Sequence, residues 1–395
     1  MIARPPEPEG PGGVYIHIPF CSRRCTYCDF ATVAGRDDAM EPYLAALHRE
    51  IAELQHGAPQ VIDTIFFGGG TPSRLTGSQI YDLVQAVRNR FDVLPGAEIT
   101  LESNPEDLSA EAVARIRDAG VGRLTIGVQS LDPKVLREVG RGHDGDRALK
   151  AVEDARAANI GQVAVDLIAG LPGEDPGGWT ATLRRLAVLR PDHFSVYLLE
   201  TDKDTPLTRA MQAGRTARPE DDDLADAWEE TTDYLESVGY RQYEISNFAR
   251  TVPGERDRVS RHNLKYWQDL PYAGFGLGAH AYHQGERRGN RRDLDGYISD
   301  LAAGRDPVAE LDRWDPVRRL EETLFMGLRL REGVDATRIG ARYGLDLQES
   351  YRTVWENAEQ QGLLVRSGDR IRLTRTGRLQ SNAVFGALLG HLPLE

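Results

Sequence analysis

Cys21, Cys25 and Cys28 are the only cysteines among 395 residues, and all three fall in the stretch Tyr15 to Phe30, Tyr-Ile-His-Ile-Pro-Phe-Cys-Ser-Arg-Arg-Cys-Thr-Tyr-Cys-Asp-Phe. Spacings of four and then three along one loop let three thiolates converge on a single small object. A [4Fe-4S] cube takes four ligands, usually thiolates, so three cysteines would leave one iron open. A disulfide would pair two of the thiols and strand the third, and nothing marks the chain as secreted. Zinc held by three cysteines and His17 is the other alternative. Zinc sites usually carry paired C-x2-C knuckles, however, and His17 lies on a strand pattern, so the spacing favours the cluster.

Further polar groups stand where apolar runs stop. Gly68-Gly69-Gly70-Thr71-Pro72 follows the run Val61 to Phe67, and glycines there let a ligand lie against exposed backbone N–H and C=O groups. Glu102 ends another run in Leu101-Glu102-Ser103-Asn104-Pro105, and Gln129 ends a third in Gly127-Val128-Gln129-Ser130. Arg141 sits in Gly140-Arg141-Gly142-His143, and Asp166 lies inside the apolar Val165-Asp166-Leu167-Ile168. A carboxylate in a buried strand is costly without a partner. Asp166 is therefore either paired, with Arg141 as the first choice, or bound to a ligand.

The elements that position these groups alternate. Val14 to Ile18 reads as a strand, and Met40, Tyr43, Leu44, Leu47, Ile51 and Leu54 recur at helical spacing up to a stop at Gly57. Strands follow at Val61 to Phe67, Ala97 to Leu101, Arg123 to Val128, Val163 to Ile168 and His193 to Leu199. Between them lie helices over Ile80 to Val87, from the N-cap Ser109 to Gly120, over Asp144 to Ala158 and over Trp179 to Leu189. Six β–α units in order predict a parallel sheet with right-handed crossovers and functional groups at the carboxyl ends of its strands. Beyond Leu199 come an acidic helix from Pro219 to Gly239, a strand over Arg241 to Ile245, and loop-rich stretches over Thr251 to Gln268 and Tyr272 to Asn290. A helix carrying Leu320, Leu324, Phe325 and Leu328 leads into a unit over Asp335 to Leu388 that reads as a small winged helix. Arg366, Arg370, Arg372, Arg375 and Arg378 make its wing basic. On an acidic protein, solvated arginines are favoured there over a nucleic-acid contact.

Together, Tyr15 to Phe30, Gly68 to Ser73, Glu102-Ser103-Asn104-Pro105, Gly127-Val128-Gln129-Ser130 and Asp166 to Pro172 resemble the HemN/HemW branch of the radical S-adenosylmethionine (SAM) superfamily. The resemblance runs from about residue 14 to the C-terminus. It implies a partial (β/α)6 barrel with a C-terminal domain, and a [4Fe-4S] cluster whose open iron takes the amino and carboxylate groups of SAM. The cofactor then carries the chemistry and the protein positions it. Position by position, the resemblance implies Cys21, Cys25 and Cys28 as cluster ligands. It implies Tyr15 and Tyr27 as cofactor contacts, Tyr15 flanking the cluster, and Gly69, Gly70, Thr71 and Glu102 as SAM contacts. Gln129, Arg141 and Asp166 match residues that touch a second SAM in the oxygen-independent coproporphyrinogen III oxidases of this branch.

Within the branch, those oxidases carry a fourth cysteine two residues after the third, where this chain has Phe30, and a sizeable N-terminal extension, where this chain has fourteen residues before Tyr15. Both departures count against decarboxylation and against the second SAM. His262-Asn263-Leu264-Lys265-Tyr266-Trp267, in contrast, matches the H-N-x-x-Y-W motif associated with haem in the haem chaperones of the branch. An imidazole can ligate haem iron, and Tyr266 and Trp267 offer flat apolar faces. Residue physics alone favours a loop histidine with two core aromatics, and the resemblance reverses that preference, with His280 and His283 as the next candidate ligands.

Charged residues at 28% and hydrophobic ones at 40% describe an ordinary soluble protein. No run of about 18 apolar residues predicts a membrane span, and the Pro- and Gly-rich start is no signal peptide, so a cytoplasmic location is expected. A net charge of −13 counts against broad nucleic-acid binding. The expected division is a disordered segment over 1–13, a radical SAM core over 14–200, an extension with the haem-motif loops over 201–314, and a mostly helical winged-helix-like unit over 315–395. The expected function is a haem chaperone that binds cluster, SAM and haem and passes haem to a respiratory acceptor protein. An electron donor would serve the cluster, and any membrane association would be transient and through the acceptor. The alternatives are an oxygen-independent coproporphyrinogen III dehydrogenase and a radical SAM enzyme acting on nucleic acid.

Overall fold

The computed structural model describes residues 5–6, 8–53, 58–254 and 257–392. Six strands follow one another in chain order: β1 (Gly12–Ile18), β2 (Val61–Gly69), β3 (Asp92–Ser103), β4 (Arg123–Gln129), β5 (Gln162–Ala169) and β6 (His193–Leu198). All are parallel to their neighbours. Their connections are the helices α1 (Met40–Glu53), α2 (Gly77–Arg90), α3 (Ala110–Asp118), α4 (Gly145–Ala157) and α5 (Pro176–Val188). The expected starts at Ser109 and Asp144 hold because their side chains cap α3 and α4, whereas α2, read from Ile80, begins earlier, where Thr76 with Gln79 forms a capping box. Leu54 and the stop at Gly57 lie outside the described residues.

After α6 (Asp221–Ser237), the edge beyond β6 gains the antiparallel pair β7 (Tyr240–Gln242) and β8 (Asn247–Arg250). The two stretches expected to be loop-rich carry regular elements among their described residues. The first contains the helix α7 (Arg261–Trp267). The second contains β9 (Tyr272–Phe275), β10 (His280–His283) and β11 (Glu286–Asn290). β9 lies parallel beside β1, and β10, β11 and β12 (Val308–Arg313) continue the sheet antiparallel. Periodicity missed these elements because each strand has four or five residues and the segment is broken by glycines. Gln284 and Gly285, both with positive φ, make the hairpin turn. The result is a 12-stranded sheet in the order β12-β11-β10-β9-β1-β2-β3-β4-β5-β6-β8-β7 that curls without closing, a partial barrel.

Gly12 and Gly13, expected within a disordered start, are the first residues of β1, and the Pro11 carbonyl accepts from Lys265 Nζ at 2.8 Å. One apolar cluster runs from Val14 to Leu301, and a second from Leu320 to Leu388. The second is built on α8 (Pro316–Leu328), further short helices and a three-stranded sheet over Val334–Asp335, Leu364–Ser367 and Arg370–Leu373. Three of the five wing arginines are taken up by the protein itself: Arg366 on Glu359, Arg375 on Asp233 and Arg378 on Gln242.

Candidate functional site

The cysteine loop leaves the carboxyl end of β1 and is tied down along its length. Thr26 N–H donates to Val139 O at 3.1 Å, Leu207 N–H donates to Thr26 O at 2.9 Å, and Arg292 Nη2 donates to Asp29 O at 2.8 Å. Cys21, Cys25 and Cys28 then line one cavity together with Gly69 at the end of β2, Gly70 and Thr71 just after it, and Glu102 near the end of β3. Gln129, Arg141 and Asp166 complete its wall. Every residue the sequence assigned to cluster or SAM borders this space except Tyr15, which borders the adjoining one.

The donor set fits a cluster. Burial raises the Cys21 thiol and pushes Cys28 up to about 11, so thiolates here need a positive counterpart such as bound iron. Thr71 Oγ1 donates to Cys21 Sγ at 3.4 Å, and Arg141 Nη1 donates to Cys25 Sγ at 3.6 Å. Tyr27 also bonds Cys25. His17 does not join them. Its Nε2 meets Ala31 O at 2.8 Å, its Nδ1 meets Tyr15 OH at 3.1 Å, and burial holds it down at about 4. The zinc alternative thereby loses its fourth ligand. Among the described residues no three His, Cys, Asp or Glu side chains stand close enough to hold a single ion.

Opposite the thiols the wall suits a polar, charged ligand. At Gly69 (φ +113°) a Cβ would stand 2.5 Å from the His17 ring, and at Gly70 it would stand 2.5 Å from Pro19 O, so only glycine brings the backbone this close. Glu102 Oε2 accepts from Gly69 N–H at 3.0 Å. Burial, and then the charge of Asp166, push Glu102 up to about 8. Asp166 itself is pushed up to about 6 by burial, while a bond from Ser195 works the other way. The expected pairing of Asp166 with Arg141 is absent, because Arg141 Nη2 donates to Asn104 Oδ1 at 2.7 Å and to Gly127 O at 2.6 Å. Asp166 Oδ1 is left buried and unpartnered, a group of the kind a ligand satisfies. Gln129 (φ +67°) sits at a bulge in β4 that leaves it on the cavity wall.

Sequence reasoning passed over Asn104. Its Oδ1 accepts from Arg141 and its Nδ2 donates to Thr71 Oγ1 at 3.2 Å, which connects Cys21 to Arg141 through two side chains. The signal was present in Glu102-Ser103-Asn104-Pro105, where only the glutamate was singled out.

Glu102, Thr125 and Asp166 also border a second space inside the partial barrel, walled by Tyr15, His193 and Tyr197 and floored by α7. Two carboxylates clamp this helix. Glu98 accepts from the Arg261 and His262 N–H groups at 3.2 and 3.1 Å, and Asp63 pairs with Arg261 and Lys265. His262 is buried, with Nδ1 on Thr64 Oγ1 at 2.9 Å and Nε2 on Tyr266 OH at 2.8 Å. Burial, with Lys265 nearby, lowers it to about 3. Asn263 lines the space, Tyr266 packs edge-on against Tyr272, and Trp267 lies under the Arg329 guanidinium at 4.3 Å. His262, Asn263 and Tyr266 thus line a barrel floor rather than an open loop, Trp267 turns towards Arg329, and neither ring nitrogen of His262 is free.

Residues 15–186 match the model of the Radical SAM superfamily, and residues 315–379 that of the HemN C-terminal domain. The chain is 35% identical over 383 residues to the Heme chaperone HemW of Bacillus subtilis, covering 96% of this chain and 99% of that protein. It is 37% identical over 390 residues to the Heme chaperone HemW of Mycobacterium tuberculosis, covering 98% and 96%. Among solved structures, coproporphyrinogen III oxidase (HemN) from Escherichia coli superposes with a TM-score of 0.83 at 25% identity over 99% of this chain and 92% of that one.

Proposed function

The chain belongs to the HemW haem-chaperone family of the radical SAM superfamily, and from that premise we propose that it binds a [4Fe-4S] cluster, SAM and haem and hands the haem to an acceptor protein. The observation that carries the cofactor part is the single cavity on which three thiols, a glycine backbone and two desolvated carboxylates converge. Cys21, Cys25 and Cys28 would hold three irons of the cluster, which supplies an open coordination site and, when reduced, an electron for SAM. Thr71 and Arg141 donate to the sulfurs, Tyr27 closes one side while Tyr15 stands in the adjoining space, and the Gly69-Gly70 backbone with Glu102 orients the ligand's polar end. Gln129, Arg141 and Asp166 form the remaining polar wall.

Haem is the cargo, received and released, and a haem-dependent respiratory protein in the cytoplasm or at the membrane face is the proposed acceptor, with a separate electron donor for the cluster. No described helix is long and apolar enough to cross a membrane. His262, Asn263, Tyr266 and Trp267 would meet haem only after α7 leaves the barrel floor, since His262 now has both nitrogens engaged. The oxidase alternative keeps the cavity but has Phe30 at the fourth-cysteine position, 62% exposed on the lip. Haem titration of anaerobically purified protein beside a coproporphyrinogen III assay separates the two. Haem binding without decarboxylation is expected, and robust decarboxylation would refute the chaperone.

A further inference from the structure

A thiolate bound to iron accepts hydrogen bonds and donates none, so any donor that reaches it has to be aimed by the groups behind it. Two donors reach the cysteines: Thr71 Oγ1 at 3.4 Å from Cys21 Sγ, and Arg141 Nη1 at 3.6 Å from Cys25 Sγ. A threonine hydroxyl turns freely and can donate or accept. What sends its proton to the sulfur is therefore its other partner. That partner is Asn104, whose Nδ2 donates to Thr71 Oγ1 at 3.2 Å. The amide nitrogen takes a lone pair of the hydroxyl and leaves the Thr71 proton for Cys21. The amide cannot be turned round, because its Oδ1 accepts from Arg141 Nη2 at 2.7 Å and a guanidinium only donates.

Asn104 is itself held in place. Its backbone N–H donates to Ser73 Oγ at 3.3 Å, Ser73 Oγ donates to Asp107 Oδ2 at 2.8 Å, and Asp107 N–H donates back to Asn104 O at 3.1 Å. The two arms that leave it are unequal. Arg141 is gripped a second time by Gly127 O at 2.6 Å, so it keeps an anchor without Asn104. Thr71 would lose the donor that directs its proton. Residue type matters here as much as shape: an aspartate at 104 would accept the Thr71 proton and draw it away from Cys21.

We infer that Asn104 is a positioning residue that sets the reduction potential of the cluster, by aiming the Thr71 hydroxyl at Cys21 and steadying the Arg141 guanidinium at Cys25. This rests on the cluster part of the chaperone reading. Hydrogen bonds to the sulfurs are one of the levers on such a potential. They stabilise the reduced, more negative state most, so they raise it.

The test is anaerobic potentiometric titration, followed by electron paramagnetic resonance, of reconstituted wild type, Asn104→Leu, Asn104→Asp and Thr71→Val, and of each Asn104 variant combined with Thr71→Val. Iron, sulfide and melting temperature are measured on every protein. Asn104→Leu should keep its iron and sulfide and shift the one-electron equilibrium toward the oxidised cluster by roughly three- to tenfold, tenfold being about 59 mV. Thr71→Val should shift it the same way, and Thr71→Ser, which keeps the hydroxyl, should restore it. Both Asn104 substitutions should act less in the Thr71→Val background than in wild type, because part of their route is already gone. Asn104→Asp, of the same size, carries the test if the leucine variant fails to hold a cluster. Wild-type potentials in the Asn104 variants, or equal shifts in the two backgrounds, would overturn the inference and leave the cluster standing. A wild type without iron and sulfide would sink the cluster reading itself.

Discussion

Replacing Glu102 with glutamine keeps an acceptor for Gly69 N–H and removes a titrating charge from the SAM wall. In the ligand-free protein that carboxyl is pushed up to about 8, by burial first and Asp166 second. A ligand carrying a sulfonium charge favours the ionised form, so binding at about pH 6.5, 1.5 units below that pKa, must remove a proton at a cost of about 2 kcal/mol. SAM affinity in wild type should therefore rise roughly 20-fold between about pH 6.5 and pH 8.5. Asp166, pushed up to about 6, is already mostly ionised over this range, so the slope beyond that of the ligand's own α-amino group, which also titrates here, belongs to Glu102. Anaerobic calorimetry in buffers of different ionisation enthalpy measures both affinity and the proton released. The glutamine variant should bind more weakly at the upper pH and lose the Glu102 share of the slope. The sign for stability is the opposite. Because the folded pKa is raised, the neutral carboxyl's contribution is full below its unfolded value and lost as pH rises through about 8. Ligand-free Glu102→Gln should thus melt above wild type at alkaline pH. Equal pH slopes in the two proteins, or a lower-melting variant, would refute the account.

Alanine at Cys21, Cys25 or Cys28 should abolish bound iron, acid-labile sulfide and the brown colour; zinc without sulfide in the native protein would contradict the cluster. Glu50 is buried and accepts from Gly276 N–H, Asn290 Nδ2 and Tyr297 OH, so Glu50→Ala should cost about 3 kcal/mol in denaturant unfolding. Burial pushes Glu50 up to about 7, so wild-type stability should fall as pH rises from the usual carboxylate range through that value, a slope that Glu50→Gln should flatten. His262→Ala should cost about 1–3 kcal/mol, because Thr64 and Tyr266 lose a buried partner. Trp355, fully buried with its Nε1 on Leu347 O, should cost about 3–5 kcal/mol as alanine, read from the same unfolding curves.

The six parallel strands were legible because strands covered on both faces are written as near-continuous apolar runs, Val163 to Ile168, broken only at Asp166, being the plainest. The cluster loop and the polar strand ends were legible because chemistry there depends on residue type and spacing. β9 was not: Tyr-Ala-Gly-Phe has no periodicity, and what buries it is β1, far away in sequence. α7 was missed for the related reason that seven residues give barely two helical turns. Its fixing groups, Glu98 and Asp63, belong to other elements. The same applies to Arg141, whose partner became Asn104 rather than Asp166, since two nearby acceptors can be ranked only once the backbone is in place.

The placement of β9 beside β1 also sets an order of events during synthesis. Tyr15 is paired with Gly274, more than half the chain away. At a ribosomal pace of 5–20 residues per second, the strand that launches the cysteine loop waits roughly 13 to 50 seconds with one backbone edge unsatisfied. All three cysteines emerge early, yet the wall that fixes their loop emerges late, so iron delivered to the nascent chain would meet thiols not yet held in place. A fragment ending before Tyr272 would carry every cluster ligand and still present that open edge to neighbouring chains, an invitation to aggregate.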